Sequence, residues 1–259
     1  FERGGLLKIN SGQIVTFENH SLDAPVDAQI FSGSGTVQGL KLVRPEWFGA
    51  KGNAKYFYGT LSASGTTFSM SQCSFVTADI GKSIQIPGAG TAGGSYIGTI
   101  QSLNSGTSVV ISPSVSTTLT TGRVTYGTDD TVAIQTASTA ASNILGSGTV
   151  QWRGRAYLIS DTIHIPQIQR WQGAGRLSVP VVTNIVMFVY SLPAVLTSAA
   201  PSNNSVHICD ICFNGPWSAG STGSIAIQMP ADASNHDSRI ERCWFVGWDF
   251  ALVVPNAGD

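Results

Sequence analysis

The chain has 259 residues, with 14 Lys plus Arg against 15 Asp plus Glu and only 11% charged residues, so no basic excess exists to hold a phosphate backbone and nucleic-acid binding is excluded. The 42% apolar fraction is too high for intrinsic disorder, and the 29 Gly, 31 Ser and 23 Thr are the opposite of a coiled-coil composition. The most apolar stretch, residues 179–190, is broken by Pro180, Thr183 and Asn184, so no membrane insertion is expected. What remains is a sheet-rich, turn-rich chain, one large all-β domain or two ordinary ones.

The first residues, Phe1-Glu-Arg-Gly-Gly, carry no initiator Met and no signal-peptide pattern. The last residues stop just after a strand-like run. Both ends read as cut, which predicts a piece of a longer polypeptide. Residues 1–43 alternate apolar and polar in short bursts, among them Leu7-Lys-Ile9, Ile14-Val-Thr-Phe17 and Leu40-Lys-Leu-Val43, and these predict short strands. Arg44-Pro-Glu-Trp-Phe-Gly-Ala-Lys-Gly52 predicts an anchored element and a tight turn. Residues 54–126 are the most Ser/Thr/Gly-rich part. Pieces such as Thr66-Thr-Phe68, Ser83-Ile-Gln-Ile86 and Ser108-Val-Val-Ile-Ser112 predict a small inserted antiparallel β subdomain, and no chemistry is read in it.

Residues 128–144 form the one convincing helical pattern. Thr128-Asp-Asp-Thr131 offers capping side chains, and Ala133, Ala137, Ala140 and Ile144 recur at helical spacing. Strands return at Thr149-Val-Gln-Trp152, Tyr157-Leu-Ile159 and Thr162-Ile-His-Ile165. Cys209-Asp-Ile-Cys212 has CxxC spacing, but no second pair and no spaced His accompany it. With Cys73 and Cys243 these residues read as small side chains on strands, and neither metal nor cofactor is expected.

An internal repeat marks the C-terminal third. His207-Ile-Cys-Asp-Ile-Cys-Phe-Asn-Gly215 aligns with Arg239-Ile-Glu-Arg-Cys-Trp-Phe-Val-Gly247 at an offset of 32, and Ser224-Ile-Ala-Ile227 aligns with Phe250-Ala-Leu-Val253 at an offset of 26. Such a period predicts stacked units whose apolar residues form inward ladders.

Three motifs occur in order: Pro45-Glu-Trp-Phe-Gly-Ala-Lys-Gly52, Thr128-Asp-Asp-Thr-Val-Ala-Ile-Gln135, and Gly148-Thr-Val-Gln-Trp152 leading on to Tyr157-Leu-Ile-Ser160, Ile163-His-Ile-Pro166 and Gly173-Ala-Gly175. Together they resemble the N-terminal part of the pectate-lyase-like right-handed parallel β-helix of phage tailspikes and capsule depolymerases, and the resemblance runs through nearly all of the chain. It implies an all-β fold in which 1–53 enter the β-helix, 54–126 are inserted, and 127–259 supply a capping helix and the first turns. It also implies a homotrimer on a virion tail, associated with other tail proteins, that recognises and depolymerises bacterial surface polysaccharide by hydrolysis or elimination, with no cofactor. A non-catalytic glycan-binding tail protein and a secreted bacterial lyase or hydrolase are the alternatives. The family's sites often lie on later turns, beyond residue 259. The sequence departs from the simplest form of the pattern at Asn53, which stands where the family has an acidic residue.

Asp129 and Asp130 read as a helix cap, and Glu46 with Trp47 as a structural entry. The best constellation for sugar chemistry is Asp210, Asp237 and Glu241 as catalytic carboxylates beside Trp217, Trp244 and Trp248 as sugar platforms. If Ile240 and Phe245 point inward, strand alternation puts Glu241 outside.

Overall fold

The computed structural model describes residues 2, 4–141, 148–166, 168–174, 184–187, 193–197, 206–215, 223–229 and 238–254. Six strands, Lys55–Ser64, Thr67–Met70, Ser83–Ile86, Tyr96–Ser105, Ser108–Ser112 and Leu119–Gly127, close into an antiparallel barrel. Short local turns make antiparallel neighbours, as at Gly65 (φ +56°), where Ser64 faces Thr67 across the hairpin. Alternation turns Phe68, Ile84, Ile86, Val109, Ile111 and Val124 inward, all fully buried, and these make a core separate from the rest of the molecule. Each such side chain contributes about 2 kcal/mol.

The strands outside the barrel are short and parallel. Leu42–Val43, Gly148–Gln151, Gln169–Gln172, Val206–Cys209 and Arg239–Glu241 form the first parallel sheet. The second holds Ala156–Ile159, Asn184–Met187, Cys212–Asn214 and Trp244–Val246. The third holds Ile163–Ile165, Pro193–Thr197, Ile225–Gln228 and Phe250–Val253. The chain visits these sheets in rotation and adds one strand to each per circuit. Two further parallel pairs precede them, Leu7–Ile9 with Phe31–Gly33 and Ile14–His20 with Thr36–Leu40.

The expectation of a right-handed parallel β-helix as the fold class is corrected by this arrangement. Among the described residues the chain is mostly β with one α-helix, but its longest strands close into the six-stranded antiparallel barrel, and its parallel strands sit in separate small sheets of two to five. The physical reason is local. Hairpin turns in the Ser/Thr/Gly-rich segment return Thr67–Met70, Tyr96–Ser105 and Ser108–Ser112 antiparallel to their predecessors, and Leu119–Gly127 closes the barrel between Lys55–Ser64 and Ser83–Ile86, which removes the free edges.

The aligned repeat is realised in the ladders. Ile208 pairs with Ile240, and Phe213 pairs with Phe245, whose rings stack at 5.3 Å and 6°. The second alignment is corrected by one residue: Phe250 pairs with Ile225, an offset of 25. Asp249 occupies the place opposite Ser224, where its carboxylate accepts from the Ser224 amide at 2.9 Å and hydroxyl at 3.0 Å. A one-residue slip would turn every side chain of that strand to the other face.

The helix spans Thr131–Ala140. Ile134, Ala137, Ser138 and Ala140 are buried, and the small alanines let it lie close against the sheets. It also completes an exposed sheet edge. The Gln135 side-chain amide accepts from the His164 amide at 2.8 Å and donates to the His164 carbonyl at 3.0 Å, on the outermost strand of the third sheet. The Asp130 amide donates to Leu158 O at 2.8 Å and does the same for the outermost strand of the second.

Asp130 stands at the N-cap without capping the helix through its side chain. Its carboxylate instead accepts from the backbone amides of Lys51 at 2.7 Å and Gly52 at 2.9 Å, across 79 and 78 residues. Asn53 and Thr128 exchange two more bonds of 3.0 and 2.9 Å, and a Cβ on Gly127 would lie 2.7 Å from Ala54 Cα. The barrel thus leaves and re-enters the parallel part at one clasped point. Trp47 and Glu46 are buried beside it. Trp47 Nε1 donates to Pro25 O at 2.8 Å, and the Tyr157 hydroxyl donates to Glu46.

Asp130→Ala strands two inward-facing amides and is expected to cost about 2–4 kcal/mol, measurable by denaturant unfolding. Burial raises the Asp130 carboxyl from 3.8 to about 6, against the pull of the Lys51 and Gly52 amides. The folded value lies above the unfolded one, so the folded state holds the proton more tightly. The stability from this group is therefore full below about pH 4 and lost as pH rises through about 6. Thermal melts from pH 4 to 8 should show that limb, and Asp130→Asn should remove it. Gln135→Ala should cost about 1 kcal/mol by leaving the His164 amide without its partner at the sheet edge, while the carbonyl keeps Ser138 Oγ at 3.3 Å.

Candidate functional sites: a charged corner and an aromatic groove

With Val150, Trp171, Ile208 and Ile240 turned to the core, their neighbours face outward from the first parallel sheet. Two outer ladders result. One runs Thr149, Arg170, His207, Arg239, and the other Gln151, Gln172, Cys209, Glu241. The chain then bends at Gly173, Asp210 and Arg242. A Cβ on Gly173 would lie 1.9 Å from Asp210 O, so only glycine fits there. Asp210 (φ 60°) and Arg242 (φ 50°) both hold the left-handed conformation.

This bend brings two of the three expected carboxylates together. Arg242 Nε donates to Asp210 Oδ1 at 2.7 Å and Nη2 to Oδ2 at 2.8 Å, a bidentate fork. Glu241 Oε1 accepts from His207 Nε2 at 2.9 Å and lies 3.3 Å from Arg242 Nη1. Arg170 Nη2 lies 3.9 Å from the buried Cys209 sulfur. The hydrogen bonds from Arg242 hold the Asp210 carboxyl below its ordinary range, and the bond from His207 does the same for Glu241. Both carboxylates are therefore ionised at neutral pH. A glycosidase needs one carboxyl kept protonated to give its proton to the leaving oxygen, and this pair supplies none. The expected third carboxylate, Asp237, and the platform Trp217 lie outside the described residues.

Of the other two tryptophans, Trp248 is tied into the fold. Trp248 Nε1 donates to Phe213 O at 3.1 Å, and its ring packs where a Cβ on Gly215 would come within 2.7 Å. Trp244 is half-buried beside Cys212 in the second sheet. Cys209 and Cys212 sit buried on strands of two different sheets.

The structure also shows a groove that the sequence reading passed over. On the strand Lys55–Ser64, alternation turns Tyr56 and Tyr58 outward, the latter 74% exposed. Arg123 stands opposite Tyr58 on the neighbouring strand, its guanidinium 4.8 Å from the centroid of the Tyr56 ring. With Pro87, Gly88 and Gly122 these residues line a cavity of about 630 Å³. Gly88 and Gly122 contribute no side chain, which keeps the groove open. Burial pushes the Arg123 guanidinium down to about 10, still charged at neutral pH. The Tyr-Phe-Tyr alternation at 56–58 is the sequence feature that could have found it, since two outward aromatics on one strand are not needed by the core.

Trp248→Ala is expected to lower stability by about 2 kcal/mol through lost packing, while Arg242→Ala should leave the melting temperature nearly unchanged because its ion pairs are open to solvent. Differential scanning calorimetry separates the two. No family model matches the chain, and neither a curated protein nor a solved structure matches it significantly.

Proposed function

We propose that this chain recognises bacterial surface polysaccharide as part of a tailspike-type phage tail protein, and that binding is the role its described residues carry. The observation behind this is the Tyr56–Tyr58–Arg123 groove. Outward tyrosine rings offer flat apolar faces to the C–H faces of a pyranose, and their hydroxyls remain free to meet sugar hydroxyls. The Arg123 guanidinium over the Tyr56 ring adds a positive charge suited to a uronate carboxylate. A groove of this size, mostly apolar with a few convergent polar groups, is the usual form of a small-ligand site. The ordered motifs at 45–52, 128–135 and 148–175 support the tailspike assignment. The ionised state of Asp210 and Glu241 favours binding over hydrolysis at the charged corner.

Affinity electrophoresis in gels containing capsular or exopolysaccharide tests this reading. Retardation by at least one acidic polysaccharide is expected, with Tyr58→Ala weakening it about tenfold, a loss of about 1.4 kcal/mol. Equal retardation of Tyr56→Ala, Tyr58→Ala and the parent chain would remove the groove from the reading. Reducing ends, or new absorbance from unsaturated sugars, on incubation with the same polysaccharides would replace binding by cleavage.

A further inference from the structure

We propose that His207, Cys209 and Glu241 form a binding site for a first-row divalent metal ion of the zinc class. The inference stands apart from the polysaccharide reading and uses none of the groove residues. The ligand atoms of the three side chains all lie within 4.8 Å of one another. His207 and Cys209 are two residues apart on one strand, so both leave the same face, and Glu241 is the register partner of Cys209 on the next. One imidazole nitrogen, one sulfur and one carboxylate oxygen make a set that suits zinc or cobalt and ill suits calcium or magnesium, which want oxygen shells. Three protein ligands leave the fourth tetrahedral position to solvent or to an anionic ligand, as in open zinc sites.

The surroundings are compatible with this ligand set. Arg170 Nη2 lies 3.9 Å from the Cys209 sulfur and places a positive charge beside the atom that would bind as thiolate. Arg242 is committed to Asp210 through both of its bonds, and it also faces Glu241 from outside. Cys243 lies close by with its sulfur turned to Ile208 O and Glu241 O at 3.6 and 3.5 Å. Coordination would replace the His207–Glu241 hydrogen bond: the neutral imidazole shifts its proton from Nε2 to Nδ1 through solvent, which frees Nε2 for the ion, and Cys209 releases its thiol proton to solvent. The CxxC spacing plays no part, because Cys212 belongs to another sheet.

The test is a cobalt titration of the full chain after removal of metal with a chelator. Cobalt bound to a thiolate gives an intense near-ultraviolet sulfur-to-cobalt band and visible bands characteristic of tetrahedral geometry. One equivalent is expected to develop both, and zinc should displace it. Cys209→Ser should abolish the sulfur band, whereas Cys212→Ser should keep it. His207→Gln and Glu241→Gln, both at partly exposed positions, should weaken cobalt binding at least tenfold, and they carry the test if Cys209→Ser fails to fold. No sulfur band at one equivalent, a band that persists in Cys209→Ser, or unchanged affinity in both His207→Gln and Glu241→Gln would overturn the proposal.

Discussion

The rest of the molecule depends on the Asp130 carboxylate and the two backbone amides it holds. Lys51 and Gly52 end the entry segment, and Asp130 begins the helix, with the whole barrel between them in sequence. A carboxylate accepting from two amides of one turn fixes direction as well as distance. With Asn53 and Thr128 paired beside it, the two ends of the barrel are drawn to one point. The barrel can then have its own core without disturbing the parallel strands, since its closure needs nothing from them.

The same point starts the management of sheet edges. Parallel strands leave unpaired amides and carbonyls at their outer ends, an invitation to unwanted pairing. Here Leu42–Val43 covers the first sheet, Asp130 bonds Leu158 on the second, and Gln135 bonds His164 on the third. A single helix turn therefore joins the barrel clasp to the closure of two sheets. Buried Gln169 adds an internal tie, accepting from Ser138 Oγ and Trp171 Nε1 and donating to Ser138 O.

The two candidate sites differ in how their chemistry is held. The charged corner is rigid because its groups satisfy one another, with Asp210 spent on Arg242 and Glu241 on His207. Side chains so engaged are poor proton donors but well-placed ligands. The barrel groove is the reverse: its tyrosines face solvent, and their rings are available to a partner. Recognition is proposed for the groove and ion binding for the corner for that physical reason.

Much of the local structure was legible in the residues. Alternation at Ser83-Ile-Gln-Ile86, the helical spacing of Ala133, Ala137 and Ala140, and the 32-residue offset of Ile208 and Phe213 each reappear in strand, helix and ladder. Periodicity is a property of consecutive residues, so the sequence carries it directly. The fold class was not legible in this way: the barrel comes from which edges find each other, and composition does not encode that choice. The one-residue slip at Phe250 likewise turns on Asp249 reaching Ser224 across the sheet. Asp130 looked like a helix cap and proved to be a clasp, because its partners lie almost eighty residues away. By itself the sequence determined the β-rich class, the strands and the single helix, through short-range steric and hydrophobic pattern. Only the tertiary structure decided barrel closure, the contact of His207 with Glu241 and the exposure of Tyr58, because each depends on contacts between residues far apart in the chain.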